Sequence, residues 1–333
     1  MKTLTMLLAL LAAIGAGAQN KYTTFEVGPN ATSGNVSTIN DSGQVLGRWA
    51  GNSKAYVISP GGIWTKNIVT VNGAPLAMNN ATTIVGAQSP SNQAFYKLWE
   101  QPVQQIGLGN GTSASAINTA GYIAGVAPPS QFGLEELYLY DPNSSFVHIA
   151  FPHDKWPHTF VAISGTMGLN NLNQIVGSWE NYSTPWSGFL YDSKSKQLNT
   201  SFNMPGAVTT YPISINDNQE VVGNWVDANN VYHGFYWNST AGFSDIDVAG
   251  DTSMFLIGIN NQSVILGAWV DDNTPKLAHY VTIVGGHPAA SINVPKSQAG
   301  STVAAAINNV GQVTGTYTTQ EGVVRGFIYT PPK

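Results

Sequence analysis

The chain has 333 residues, 43% of them apolar, with 35 glycines, no cysteine, and 13 basic against 18 acidic side chains. Charged residues make up 9%, against about 25% in ordinary soluble domains, and there are too many core-forming residues for a disordered chain. A net charge of −5 with scattered cations leaves no basic face for nucleic acid, and the lack of cysteine excludes disulfides and thiolate chemistry.

Residues 1–18 carry one early cation (Lys2), an apolar run from Leu4 to Ile14 and the small-residue pattern Ala16-Gly17-Ala18. This reads as a secretory signal removed after Ala18. The apolar run is short for a bilayer about 30 Å thick, and no later stretch is longer. The mature chain, residues 19–333, is therefore expected outside the cytoplasm, extracellular or periplasmic, as one domain without membrane insertion.

After a first strand candidate at Tyr22–Val27, the chain repeats itself. An apolar residue and an Asn are followed, seven positions after the Asn, by Gly: Asn40/Gly47, Asn79/Gly86, Asn118/Gly125, Asn170/Gly177, Asn216/Gly223, Asn260/Gly267 and Asn308/Gly315. Chance does not produce seven identical offsets. In nearly every unit aliphatic residues precede the Gly, and Trp49, Trp179, Trp225, Trp269 and Tyr317 stand two positions beyond it. Strand A of each unit ends at the Asn, and strand B is the aliphatic-Gly-x-Trp run. Strand C is clearest at Gly188-Phe189-Leu190-Tyr191, Gly234-Phe235-Tyr236-Trp237 and Gly326-Phe327-Ile328-Tyr329. Strand D is read as an apolar triplet, as in Ile106-Gly107-Leu108, Phe202-Asn203-Met204, Ile246-Asp247-Val248 and Ile292-Asn293-Val294. Turn-forming clusters separate the strands, and helical periodicity is absent.

Four strands in each unit of about 40–45 residues mark a propeller blade. The last unit stops after strand C, so the orphan strand at Tyr22–Val27 can complete it and protect an open edge. The expected fold is all-β: a closed seven-bladed β-propeller of four-stranded antiparallel blades, with the N-terminal strand completing the last blade.

The units, for example Ile215-Asn216-Asp217-Asn218-Gln219-Glu220-Val221-Val222-Gly223-Asn224-Trp225 followed by Gly234-Phe235-Tyr236, resemble the HAF family of probable extracellular repeats. The resemblance covers nearly all of the mature chain and implies export and repetition, with no catalytic residues to carry over. Units two and three depart from it, with Gln88 and Ala127 in place of the Trp and Tyr138-Leu139-Tyr140 in place of Gly-Phe-x-Tyr.

The repeated Asn suits the A–B hairpin, where its side chain can bond the backbone two residues on. A calcium loop at Asn40-Asp41-Ser42-Gly43 or Asn216-Asp217-Asn218 would need about 6–8 oxygen ligands, and most units lack the acid, so no metal is expected; nor is a cofactor. The strand-B Gly is read as room for a neighbouring blade's aromatic ring. The Trp beyond it suits either packing between blades or a carbohydrate platform.

No nucleophile elbow, zinc-protease motif or phosphate loop is present. His148, His153 and His158 fall in or beside the longest D–A connection, but three His spaced by five match no metal pattern. With strand A running from top to bottom, the D–A and B–C loops share the top face. The candidate ligand-binding residues there are His153, Asp154, Trp156, His158, Trp179, Trp225, Asp227, Trp269 and Asp271. Few charges and many neutral polar and aromatic side chains point to an extracellular glycan or polysaccharide as partner of a monomeric propeller. A protein ligand of an envelope scaffold is the alternative, as is a lyase or hydrolase using top-face carboxylates with His153 or His158.

Overall fold

The computed structural model describes residues 21–332 except 28–33, 50–54, 60–67, 70–72, 99, 129–133, 142, 144, 153–160, 182–183, 248–252 and 271–276. The signal-like segment lies outside them. The described residues form seven four-stranded antiparallel sheets, each running A-B-C-D, and contain no helix. Blade four comprises Ala162–Leu169, Gln174–Asn181, Thr184–Asp192 and Gln197–Asn199. Blade five comprises Thr209–Ile215, Val221–Val226, Tyr232–Asn238 and Gly242–Ile246, and blade six opens with Ser253–Ile259 and Ile265–Val270. Every A strand ends on the residue before its Asn, as expected.

The seventh blade is closed by the N-terminal strand. Lys21–Glu26 pairs with Val324–Thr330, setting Tyr22 opposite Tyr329 and Glu26 opposite Arg325. Arg325 Nη1 lies 3.0 Å from Glu26 Oε1, the Tyr22 ring packs 5.4 Å from that of Tyr329, and Asn293 N–H of blade six donates to the Tyr22 hydroxyl. One strand thus seals the blade and ties it to its neighbour.

At the lower end of the channel, the seven repeated asparagines form a closed ring of hydrogen bonds. Asn40 Nδ2 donates to the carbonyl of Asn79, Asn79 to Asn118, Asn118 to Asn170 and Asn170 to Asn216, at 3.0–3.3 Å. Asn216 donates to Asn260, Asn260 to Asn308, and Asn308 back to Asn40, each at 2.9 Å. All seven side chains are buried. Each Oδ1 accepts the backbone N–H four residues on, which closes its own hairpin at 2.8–3.0 Å. The hairpin role was legible in the sequence; the link to the next blade was not.

A second layer sits on the residues that follow these asparagines. Asp41 Oδ2 accepts the amides of Asn80 and Asn309, and Asp217 Oδ2 those of Asn171 and Asn261, at 2.7–3.0 Å.

Each A strand also carries a β-bulge, for example between Pro212 and Ser214 and between Leu256 and Gly258, which adds local bend and twist. Opposite it stands the strand-B Gly. In six blades this Gly faces an aromatic on strand C of its own sheet: Gly47–Tyr56, Gly86–Phe95, Gly125–Tyr138, Gly177–Phe189, Gly223–Phe235 and Gly315–Phe327. A Cβ on Gly223 would collide with the Phe235 ring and the Tyr211 carbonyl. The space therefore serves a ring of the same blade rather than of a neighbour. The Tyr56 and Tyr138 hydroxyls donate to the carbonyls of Asn35 and Ser113 on strand A, and burial pushes both phenols above their ordinary pKa.

The cores lie between blades. Val176 and Phe202 of blade four pack with Ile215, Val221 and Phe235 of blade five, and Val222 and Ile246 of blade five with Met254, Leu256 and Ile265 of blade six. Each fully buried large side chain contributes about 1.5–3 kcal/mol.

The D strands run earlier than the apolar triplets suggest. They occupy Gln104–Gln105, Ser145–Ile149, Gln197–Asn199, Gly242–Ile246 and His287–Ile292. Being outermost, they expose most of their side chains. The triplets mark the buried exits toward the next blade, where Ile106, Phe202, Ile246 and Val294 are covered.

Two outcomes follow. Asn216→Ala removes the inter-blade donor to the Asn260 carbonyl, which keeps the Ser263 N–H, and takes away the acceptor of the Glu220 N–H; it should cost about 1–3 kcal/mol, read from the denaturant midpoint. Deleting residues 21–27 opens the edge of blade seven; a large fall in melting temperature with self-association is expected, and an unchanged melting curve would contradict closure by this strand.

Candidate functional site

Strand B lifts Trp179, Trp225 and Trp269 to equivalent upper positions of blades four, five and six, so they are not brought together. Trp179 is 3% exposed, packs 5.2 Å from Phe151 and donates its indole N–H to the Thr200 carbonyl. Its ring faces are covered in this arrangement. Trp225 and Trp269 are half-buried, and each stacks on the histidine opposite it on strand C, His233 at 4.4 Å and His279 at 5.2 Å.

Blade five gathers the acids around its pair. Trp225 Nε1 donates to Asp245 Oδ1 at 2.8 Å. His233 has Nδ1 3.4 Å from Asp247 Oδ2 and Nε2 3.8 Å from Asp227 Oδ2. The N–H groups of Val231 and Asn229 both donate to Asp227 Oδ1 at 2.8 Å and, with His233 nearby, hold its carboxyl below the usual carboxylate range. Asp227 and Trp225 are thus joined through His233, a residue the sequence reading did not single out. His148 lies on an exposed outer strand, with Nδ1 3.2 Å from Glu136 Oε2. His153, Asp154, Trp156, His158 and Asp271 lie outside the described residues. Among the described residues no group of three or more His, Cys, Asp or Glu could hold a metal.

The structure adds four aromatics at a different level. Trp186 on strand C of blade four packs against Tyr211 on strand A of blade five, with ring centroids 6.4 Å apart. One blade further, Tyr232 packs against Phe255 at 5.1 Å. Trp186 and Tyr232 both stand two positions before the strand-C Gly, where blade seven has Val324. Tyr211 and Phe255 both stand five before the ring Asn, where other blades have Asn35, Ala74, Ser113, Gly165 and Val303. Only the boundaries between blades four and five and between five and six combine aromatics at both positions. Aligning the units at these offsets would have revealed the pairs; attention to residues shared by all units hid them.

Beside them opens a cleft of about 280 Å³ whose lining includes Ser164, Thr166, Ser178, Tyr211, Asn224 and Tyr232. It has no charged wall. Tyr232 is 39% exposed, whereas Asn224 is committed to structure, its amide bonding both the N–H and the carbonyl of Leu256. The opposite end of the channel is a polar recess of about 170 Å³ walled by the asparagine ring and its Asp41 and Asp217 layer.

No family model matches the sequence, and no curated protein is similar to it. Solved structures do share its shape. A streptogramin B lyase superposes with a TM-score of 0.55 at 10% identity, over 93% of this chain and 98% of the other. A catalytically inactive variant of virginiamycin B lyase from Staphylococcus aureus, with quinupristin, gives 0.60 at 9% identity over 94% and 100%. The β-propeller domain of the Trilobed protease from Pyrococcus furiosus, described as having an open velcro topology, gives 0.60 at 8% identity over 89% and 95%. The likeness is one of fold alone. In the present chain the seventh blade is closed.

Burial separates the two classes of Trp. Trp179→Ala should cost about 3–5 kcal/mol of stability, while Trp186→Ala, at a half-buried position, should cost far less; denaturant midpoints of the two variants check the difference.

Proposed function

We propose that this chain is a secreted β-propeller of the HAF-repeat type that binds an extracellular glycan on its top face. The signal-like N-terminus and the repeat signature support export. The observation that carries the binding reading is the uncharged cleft lined by Tyr211 and Tyr232, one ring from each of the pairs Trp186–Tyr211 and Tyr232–Phe255. Sugars present an apolar C–H face that suits an aromatic ring, and hydroxyls that suit Ser and Thr. The pairs break the repeat, and residues that repetition does not require are the better functional suspects. Trp225 and Trp269, with the loops bearing His153, Asp154, Trp156, His158 and Asp271, would extend the same face.

A polysaccharide pull-down panel on the mature protein tests this, with the double variant Trp186→Ala/Tyr232→Ala alongside. Retention of at least one glycan by the wild type, lost in the variant without a change in melting temperature, is the expected result. Equal retention by both proteins would move the binding surface elsewhere.

A second reading rests on His233 between Asp227 and Asp247, an arrangement suited to general acid–base work in a lyase or hydrolase. His233→Ala would then abolish turnover of a bound glycan while leaving its retention intact.

A further inference from the structure

Both charge and repetition narrow the ligand of this cleft further. The residues lining the cleft are uncharged. The upper rim of the sector around it is acidic, with Glu135, Glu136 and Glu180 on blades three and four and Asp227, Asp245 and Asp247 on blade five. Among the described residues of blades three to five, the only cations are Lys194 and Lys196. Both sit in the turn between strands C and D, at the lower end. A polyanion lying along this rim would meet the like charge of these acids, over a range of about 8–10 Å at moderate salt. The aromatic pairs, meanwhile, occupy the same two offsets in successive units. Two such pairs, at adjacent blade boundaries and with the same strand geometry, suit a ligand that itself repeats.

Resting on the glycan reading above, we infer that the cleft takes an uncharged polysaccharide, with one sugar against the Trp186–Tyr211 pair and another against the Tyr232–Phe255 pair. Engaging the second pair is then intramolecular, so affinity rises with chain length until both are filled and levels off beyond. Neutral polymers are selected because nothing in the cleft compensates a carboxylate, and a cationic polymer would be drawn to the rim acids rather than seated between the rings.

The test is a titration of the mature protein with neutral glucans (laminarin, hydroxyethyl cellulose, dextran), polygalacturonate and chitosan, at low and physiological ionic strength. Trp186→Ala and Tyr232→Ala are carried in parallel, with melting curves to confirm that both are folded. Expected is binding to a neutral polymer that is insensitive to salt, is stronger for oligomers than for the free monosaccharide, and is weakened about tenfold by either substitution. Polygalacturonate or chitosan binding that both substitutions weaken would overturn the uncharged ligand and leave the glycan reading standing. A free monosaccharide bound as tightly as the oligomers would overturn the two-position arrangement alone. Absence of binding to every probe, or binding that neither substitution alters, would overturn both this inference and the reading beneath it.

Discussion

Seven buried side-chain amides, each bonded to the main chain of the next blade, hold the lower end of the channel together. The geometry leaves little choice of residue. A hairpin turn packed against the channel axis has a backbone carbonyl with two lone pairs; one accepts an N–H of its own turn, as Asn260 does from Ser263 and Asn308 from Gly311, and the other faces the neighbouring blade, where a donor is needed. Asparagine has one acceptor to close its own turn and an amide to satisfy the neighbour. Where the residue four positions on is Gln or Glu, as at Gln44, Gln174, Glu220 and Gln312, its side chain accepts from the same amide. Aspartate would set a second acceptor against the carbonyl. Serine would have to serve both contacts from one oxygen on a shorter side chain.

From that ring the rest of the blade follows outward. The bulge in strand A bends the chain beside the channel, the strand-B glycine admits an aromatic from strand C, and that ring fills the space between sheets. Every unit needs these devices, and nearly every unit has them; blade six, with Val281 opposite Gly267, fills the space with aliphatic side chains instead. The pairs Trp186–Tyr211 and Tyr232–Phe255 belong to a different category. They sit where the other units place small, aliphatic or polar residues, and the scaffold does not require them.

The architecture was legible because repetition amplified weak signals. Four short strands would be ambiguous in one unit, but seven copies in register fixed the ends of strands A and B and the phase of closure. The outer strands were misplaced because exposed residues such as those of Ser145–Ile149 carry no apolar pattern, whereas the buried exits after them do. The ring of amides was invisible because a bond from Asn308 to Asn40 spans nearly the whole chain, and nothing local records it. The candidate site was hidden for the opposite reason. Its residues differ between units, while Trp179, repeated and conspicuous, turned out to be committed to packing.

Closure by the N-terminal strand imposes an order on biosynthesis. Tyr22 emerges long before its partners Phe327 and Tyr329, and Asn40 likewise waits for Asn308 to reach back to it. Neither join can form on a nascent chain. Contacts between such distant segments make folding slow, so the chain passes through an unclosed string of blades before it becomes a ring.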